Sequence, residues 1–150
     1  LRCLVGSEMC IRDRVGVVAS QVIPYMEKSR QSKDQQQISS LATSMVSAIA
    51  QDDSFDLATK AATADITFEL SKTNLTTKTS ATIESTFAEL CGQADTDAVV
   101  TKVKSKFTSK KAKASGNKLY VTLKADGSVT IDLGTAAGTP ASAKLTVTTE

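Results

Sequence analysis

Residues 15–52 carry one helical pattern that changes character twice, and few small folds can accommodate it. The first stretch, VGVVASQVIPYM, is apolar on almost every side, and EKSRQSKDQQQ after it is polar throughout. Then Ile38, Leu41, Met45, Ala48 and Ile49 recur at spacings of three and four, the seam of an amphipathic helix. Within the polar run Arg30 stands three residues after Glu27 and four before Asp34, spacings at which ion pairs add a few tenths of a kcal/mol each. At 1.5 Å per residue the segment predicts a rod of about 55 Å. A chain of 150 residues suits one compact domain, too small to cover such a rod, so part of it must stand clear. Pro24 has two readings. It kinks or locally melts the helix near residues 20–24, where the bond to the Ser20 carbonyl is lost, or it opens a shorter helix at its first turn.

The residues ahead of this pattern are of another kind. LRCLVGSEMCIRDR, residues 1–14, has no period of 2 or 3.6 and lacks the order of a signal peptide, basic then apolar then small. It resembles a translated sequencing adapter of the transposase type: residues 4–13 back-translate as CTC GTG GGC TCG GAG ATG TGT ATA AGA GAC. Residues 1–14 are therefore read as an artefact and set aside, and natural sequence is expected from Val15. Removing Arg2, Arg12, Arg14, Glu8 and Asp13 lowers the formal charge from +2 to +1, and Cys3 and Cys10 go with them, leaving Cys91. The apolar residues 15–26 are too few to span a bilayer, which takes about 20. Because they start where the adapter ends, they are expected to be the C-terminal half of a longer hydrophobic segment.

Residues 15–45 resemble the second half of the N-terminal helix of type IV pilins and type II secretion pseudopilins, most closely those of Gram-positive bacteria. In that family an apolar stretch with an internal Gly leads to a Pro, an aromatic residue and a polar run like EKSR. Gly16, Pro24, Tyr25 and Glu27 to Arg30 take those places. The family's Gly-Phe cleavage site and the Glu beyond it would fall upstream of Val15, and Glu8 is not that Glu. The resemblance implies a long helix laid on a small antiparallel sheet. It implies a subunit held in the cytoplasmic membrane by a single pass before assembly and then carried to the cell surface in a homo-oligomeric filament with other pilins. A prepilin peptidase and an assembly ATPase with its platform are the further partners it implies. Val15, Gly16, Val17, Val18, Val22, Ile23 and Pro24 are the assembly and membrane residues on this reading. Ile38, Leu41, Met45 and Ile49 pack the helix on the sheet.

Residues 53–150 form the head. Asp52, Asp53 and Asp56 end the helix in a polar loop. Ile66, Phe68 and Leu70 alternate as in a strand. Ser80 is placed to cap a helix running to Cys91, buried through Ile83, Phe87 and Leu90, with Gly92 as its C′ residue. Val99, Val100, Val103 and Phe107 predict a short helix over residues 97–108. Leu119, Val121 and Leu123, then Val129, Ile131 and Leu133, alternate on either side of Asp126-Gly127, a tight-hairpin signal. A Gly/Ala/Pro loop leads to a last strand through Leu145 and Val147. The fold class is α+β: an antiparallel meander whose one apolar face awaits the helix seam.

Composition narrows the chemistry. With no His, imidazole bases, Ser-His and Cys-His nucleophile pairs and most mixed zinc sites are excluded. Aromatic residues are 4% with no Trp, so the core must be aliphatic. Asp52, Asp53, Asp56, Asp95 and Asp97 lack the spacing of a calcium loop and read as helix-end residues. Lys102, Lys104, Lys106, Lys110, Lys111, Lys113 and Lys118 form a basic run. Only Phe107 interrupts it, which favours a solvated surface over DNA binding. Cys91 reads as a small core residue, and Asn74-Leu75-Thr76 matches a glycosylation acceptor.

The expectation is a non-enzymatic filament subunit without cofactor or metal, either a pilus, competence or secretion pilin. The rival reading is a membrane-anchored extracytoplasmic domain that binds a ligand or DNA, which would need a concave site with converging polar groups.

Overall fold

The computed structural model describes the backbone of residues 2–149 and the side chains of residues 22–149. Helix α1 (Arg2–Ala50) holds Pro24 inside it, so the proline does not open a shorter helix. It is followed by α2 (Leu57–Lys60), β1 (Ile66–Glu69), α3 (Lys72–Lys78), α4 (Ala81–Leu90) and α5 (Thr96–Lys106). Then come β2 (Lys118–Leu123), β3 (Val129–Ala136), β4 (Thr139–Pro140), a 3-10 turn (Ala143–Leu145) and β5 (Thr146–Thr149). The architecture is α+β, a long N-terminal helix with a five-stranded antiparallel sheet.

The sheet runs β1-β2-β3-β4, and β5 also pairs with β3. Both late strands therefore share one edge of β3: β4 lies beside Gly134 and Ala136, β5 beside Val129 to Asp132. Alternation sets the faces. Leu119, Val121 and Leu123 of β2 and Val129, Ile131 and Leu133 of β3 point inward and are buried. On the other face Thr67, Thr122, Thr130 and Thr148 stand opposite one another across four strands. Hydroxyl contacts of 3.1 Å and 2.9 Å close the outer pairs of that row. Cross-strand threonine pairs of this kind add a few tenths of a kcal/mol each. The β2–β3 turn is a three-residue loop: Gly127 N–H donates to the Lys124 carbonyl at 3.1 Å and Lys124 N–H to the Ser128 carbonyl at 3.1 Å. Gly127 takes φ +88°, the left-handed position that closes such a loop.

The C-terminal half of α1 covers the inward face. Its buried stripe is Gln31, Asp34, Ile38, Leu41, Met45 and Ala48, every third or fourth residue, with Ala42 beside Leu41. Ile38, Leu41 and Met45 share one core with Val129, Ile131, Leu133 and Leu145, and Ile49 is partly buried against it. Each fully buried aliphatic side chain of this size contributes about 1.5–3 kcal/mol.

Four expectations change in detail. Arg30 does not pair along α1, since the ion pairs among the described residues are Lys118–Glu69 at 2.8 Å and Lys72–Asp95 at 4.0 Å. Leu90 is exposed because α4 buries Ile83, Glu84, Phe87 and Ala88, a stripe from which Leu90 is turned by about a quarter of a revolution. Leu145 is buried from the 3-10 turn rather than from a strand. The Gly/Ala/Pro stretch is a second hairpin, β3 into β4, held by the backbone and so invisible to side-chain alternation.

Candidate assembly surface

The apolar end of α1 stops at a sharp border. Val22, Ile23, Pro24, Tyr25 and Met26 are all exposed, Ile23 at 65% and Tyr25 at 75%. They lie on every side of the helix, since successive residues turn by about 100°. Among the described residues none of the five belongs to the core, and Lys110 of the head lines a concavity with Ile23, Pro24 and Met26. Of the sequence-predicted assembly residues, Val22, Ile23 and Pro24 sit in this exposed collar. The side chains of Val15, Gly16, Val17 and Val18 lie outside the described residues.

From Glu27 onward the helix is bound to the head. Glu27 Oε1 accepts the Lys110 N–H at 2.8 Å, the most N-terminal hydrogen bond from α1 to the head among the described residues. One turn on, Gln31 Oε1 accepts from the Ser142 hydroxyl at 3.1 Å, and the Lys144 ammonium donates to Ser32 at 3.1 Å. Asp34 is wholly buried. Its Oδ1 accepts the Thr108 N–H at 2.8 Å and the Thr108 hydroxyl at 3.2 Å, and its Oδ2 accepts the Ser109 N–H at 2.8 Å. Phe107, buried just after α5, and the Ser109 hydroxyl, which accepts the Ala112 N–H at 3.2 Å, hold the loop in place to receive it. Glu27, Gln31 and Asp34 are thus a clamp that reading the sequence missed. They sit inside an all-polar run, and the partner amides lie far along the chain.

Concavities flank the helix among the described residues, one of about 300 Å³ along Ser32, Gln35, Gln36, Ser39 and Val147. A second, about 360 Å³, is lined by Ile23, Pro24, Met26, Glu27, Arg30 and Lys110, and straddles the border between collar and clamp. A third, about 170 Å³, lies between α1, α4 and α5 and includes Ser44, Leu90, Cys91, Val99 and Val103. The third is small beside ordinary ligand sites of about 300–1,000 Å³. Burial pushes the Cys91 thiol up, away from the reactive thiolate.

Asp52, Asp56, Asp95 and Asp97 serve helix ends. Asp56 accepts the Ala58 N–H at 3.1 Å, Asp95 the Ala98 N–H at 2.8 Å and Asp97 the Lys72 N–H at 3.0 Å. Glu84 reaches from α4 to the Thr96 N–H at 2.9 Å, the start of α5. Asp52 accepts from Ser54 and from the Ser80 hydroxyl, which itself caps α4 through the Ile83 N–H at 3.1 Å. Among the described residues no group of His, Cys, Asp or Glu could hold a metal ion, and no helix is long and apolar enough to cross a membrane. Lys118 of the basic run is tied to Glu69, while Lys102, Lys104, Lys106, Lys110, Lys111 and Lys113 are exposed. The Asn74 amide donates to the Glu69 carbonyl at 2.9 Å.

No protein family, curated protein or solved structure matches this chain.

Proposed function

We propose that this chain is a structural, pilin-like subunit that assembles through the apolar N-terminal part of α1. One observation carries the reading: the border at Met26 and Glu27, where exposure all round the helix gives way to a helix locked to its head. A soluble monomer gains nothing from an uncovered apolar collar, and such surface marks contact with a partner or a lipid phase. Helices of neighbouring copies, packed side by side, would remove it from water at about 25 cal/mol per Å². The head would then face outward with its threonine-lined sheet. On this reading the subunit waits in the cytoplasmic membrane, is processed by a prepilin peptidase and is driven into a filament by an assembly ATPase and its platform. Its work is assembly rather than catalysis, and it needs no cofactor.

Filament yield from cells, measured beside thermal unfolding of the detergent-solubilised full chain, tests this. Ile23→Asp is expected to abolish filaments and to leave the melting temperature of the head unchanged, because Ile23 touches no core residue. Intact filaments from Ile23→Asp would reduce the segment to a membrane anchor and favour a ligand- or DNA-binding head instead.

A further inference from the structure

The border region has a charge as well as a hydropathy step. Ile23 stands three and four residues before Met26 and Glu27, and Arg30 four and three after them, so the four share a side of α1, and Lys110 of the α5–β2 loop lines the same concavity. Glu27, the acid of the group, is half-buried and holds the Lys110 backbone N–H. Asp34 is turned inward on Thr108 and Ser109. The carboxylates of α1 thus fix the loop in place, while the Arg30 and Lys110 side chains and neighbouring Lys28, Lys33, Lys111 and Lys113 are exposed. Apolar side chains, an exposed tyrosine and then cations, in that order along one helix, match the layering of a bilayer from acyl chains through interface to headgroups.

We propose that this cationic rim docks the unassembled head on anionic lipid headgroups, holding α1 at a fixed depth. The inference rests on the reading of the apolar segment given above. The occupant is a lipid surface rather than nucleic acid because the cations adjoin exposed Ile23, Tyr25 and Met26, whereas no exposed aromatic stands among the lysines of α5 or its following loop.

Flotation of the full chain with vesicles of phosphatidylcholine, alone or mixed with phosphatidylglycerol, separates the contributions. Wild type should partition into neutral vesicles and about tenfold more strongly into anionic ones at low salt, the gain fading as salt screens it. Arg30→Ser with Lys110→Ser should lose most of that gain and keep the neutral partition. Lys102→Ser with Lys104→Ser removes two cations from α5, where Lys102 lies in a groove beside Gln37 and Ser40, turns away from the rim. It should keep the gain. Equal losses in both double variants would reduce the effect to net charge and overturn the proposal. So would a wild type with no preference for anionic vesicles, or a rim variant that loses duplex DNA binding while its lipid gain stands. Failure of wild type to enter neutral vesicles would instead overturn the underlying reading of the apolar segment.

Discussion

Asp34 Oδ2 accepts a 2.8 Å hydrogen bond from the backbone N–H of Ser109, a residue 75 positions further along the chain. With the Thr108 N–H on the other oxygen, one buried carboxylate satisfies two amides of a loop that has no ladder or helix of its own to use them. Asp34→Ala strands both amides in the interior and should cost about 3 kcal/mol. Asp34→Asn keeps one acceptor and should lose less. Urea unfolding of both variants would check the order.

The clamp defines how far the helix can be cut. A shortened chain beginning at Glu27 keeps every hydrogen bond from α1 to the head among the described residues and loses the exposed collar. It should be soluble, with helix and strand signals in circular dichroism and cooperative melting. A chain beginning at Gln35 lacks Glu27, Gln31 and Asp34 and should melt lower.

Leu41 reports on the opposite half of the helix. It is 3% exposed and lies in the core shared with the sheet. Leu41→Ala should destabilise by about 2–5 kcal/mol. Leu41→Asp buries an unpaired charge and should leave the head unfolded at ambient temperature. A folded Leu41→Asp head in circular dichroism would contradict the helix-on-sheet core.

Acid should loosen the turn after α1. Hydrogen bonds from Ser54 and then Ser80 hold the Asp52 carboxyl below its ordinary range. Thr59 does the same for Asp56 and Ser128 for Asp126. A depressed folded-state value means the folded state releases the proton more readily than the unfolded chain. The stabilisation is therefore complete above the ordinary carboxylate value of about 4 and is lost as pH falls through the lower folded value. Melting temperature should drop below about pH 4. The gap between wild type and Asp52→Asn should narrow over the same range.

Gly134 is pinned by its neighbours rather than by its backbone angles. A Cβ there would collide with the Thr139 carbonyl across the β3–β4 hairpin. Gly134→Ala should destabilise by about 1–3 kcal/mol, the usual range for overpacking, read by thermal unfolding.

The elements legible in the sequence are those whose side chains alternate or recur against one core. Val129, Ile131 and Leu133 announced a strand, and Ile38, Leu41 and Met45 announced a covered helix face, because burial selects the period. Ser80 and Gly92 marked both ends of α4 because cap chemistry is local. What was not legible depends on distant partners. Helix α3 carries a single buried apolar residue, Leu75, and is held by Asp97 from α5. The threonine row exists through the register of four strands. Asp34 reads as one more solvated residue among glutamines until the Ser109 amide is brought to it. Of the candidate assembly surface, the apolar stretch and its end at Met26 were plain, but the lock on the helix at Glu27 was not, since the Lys110 amide supplies it.

The single rod of α1 also decides how the molecule answers to force. A pull along its axis must move Asp34 off the α5–β2 loop and Ile38, Leu41, Met45 and Ala48 past the rest of the core together, because one continuous helix carries them all. Their contacts share such a load in parallel and yield only as a set. A sideways lever on the collar loads Glu27 first, then Gln31, then Asp34, one turn after another. The same joint is stiff in tension and opens like a zip when bent.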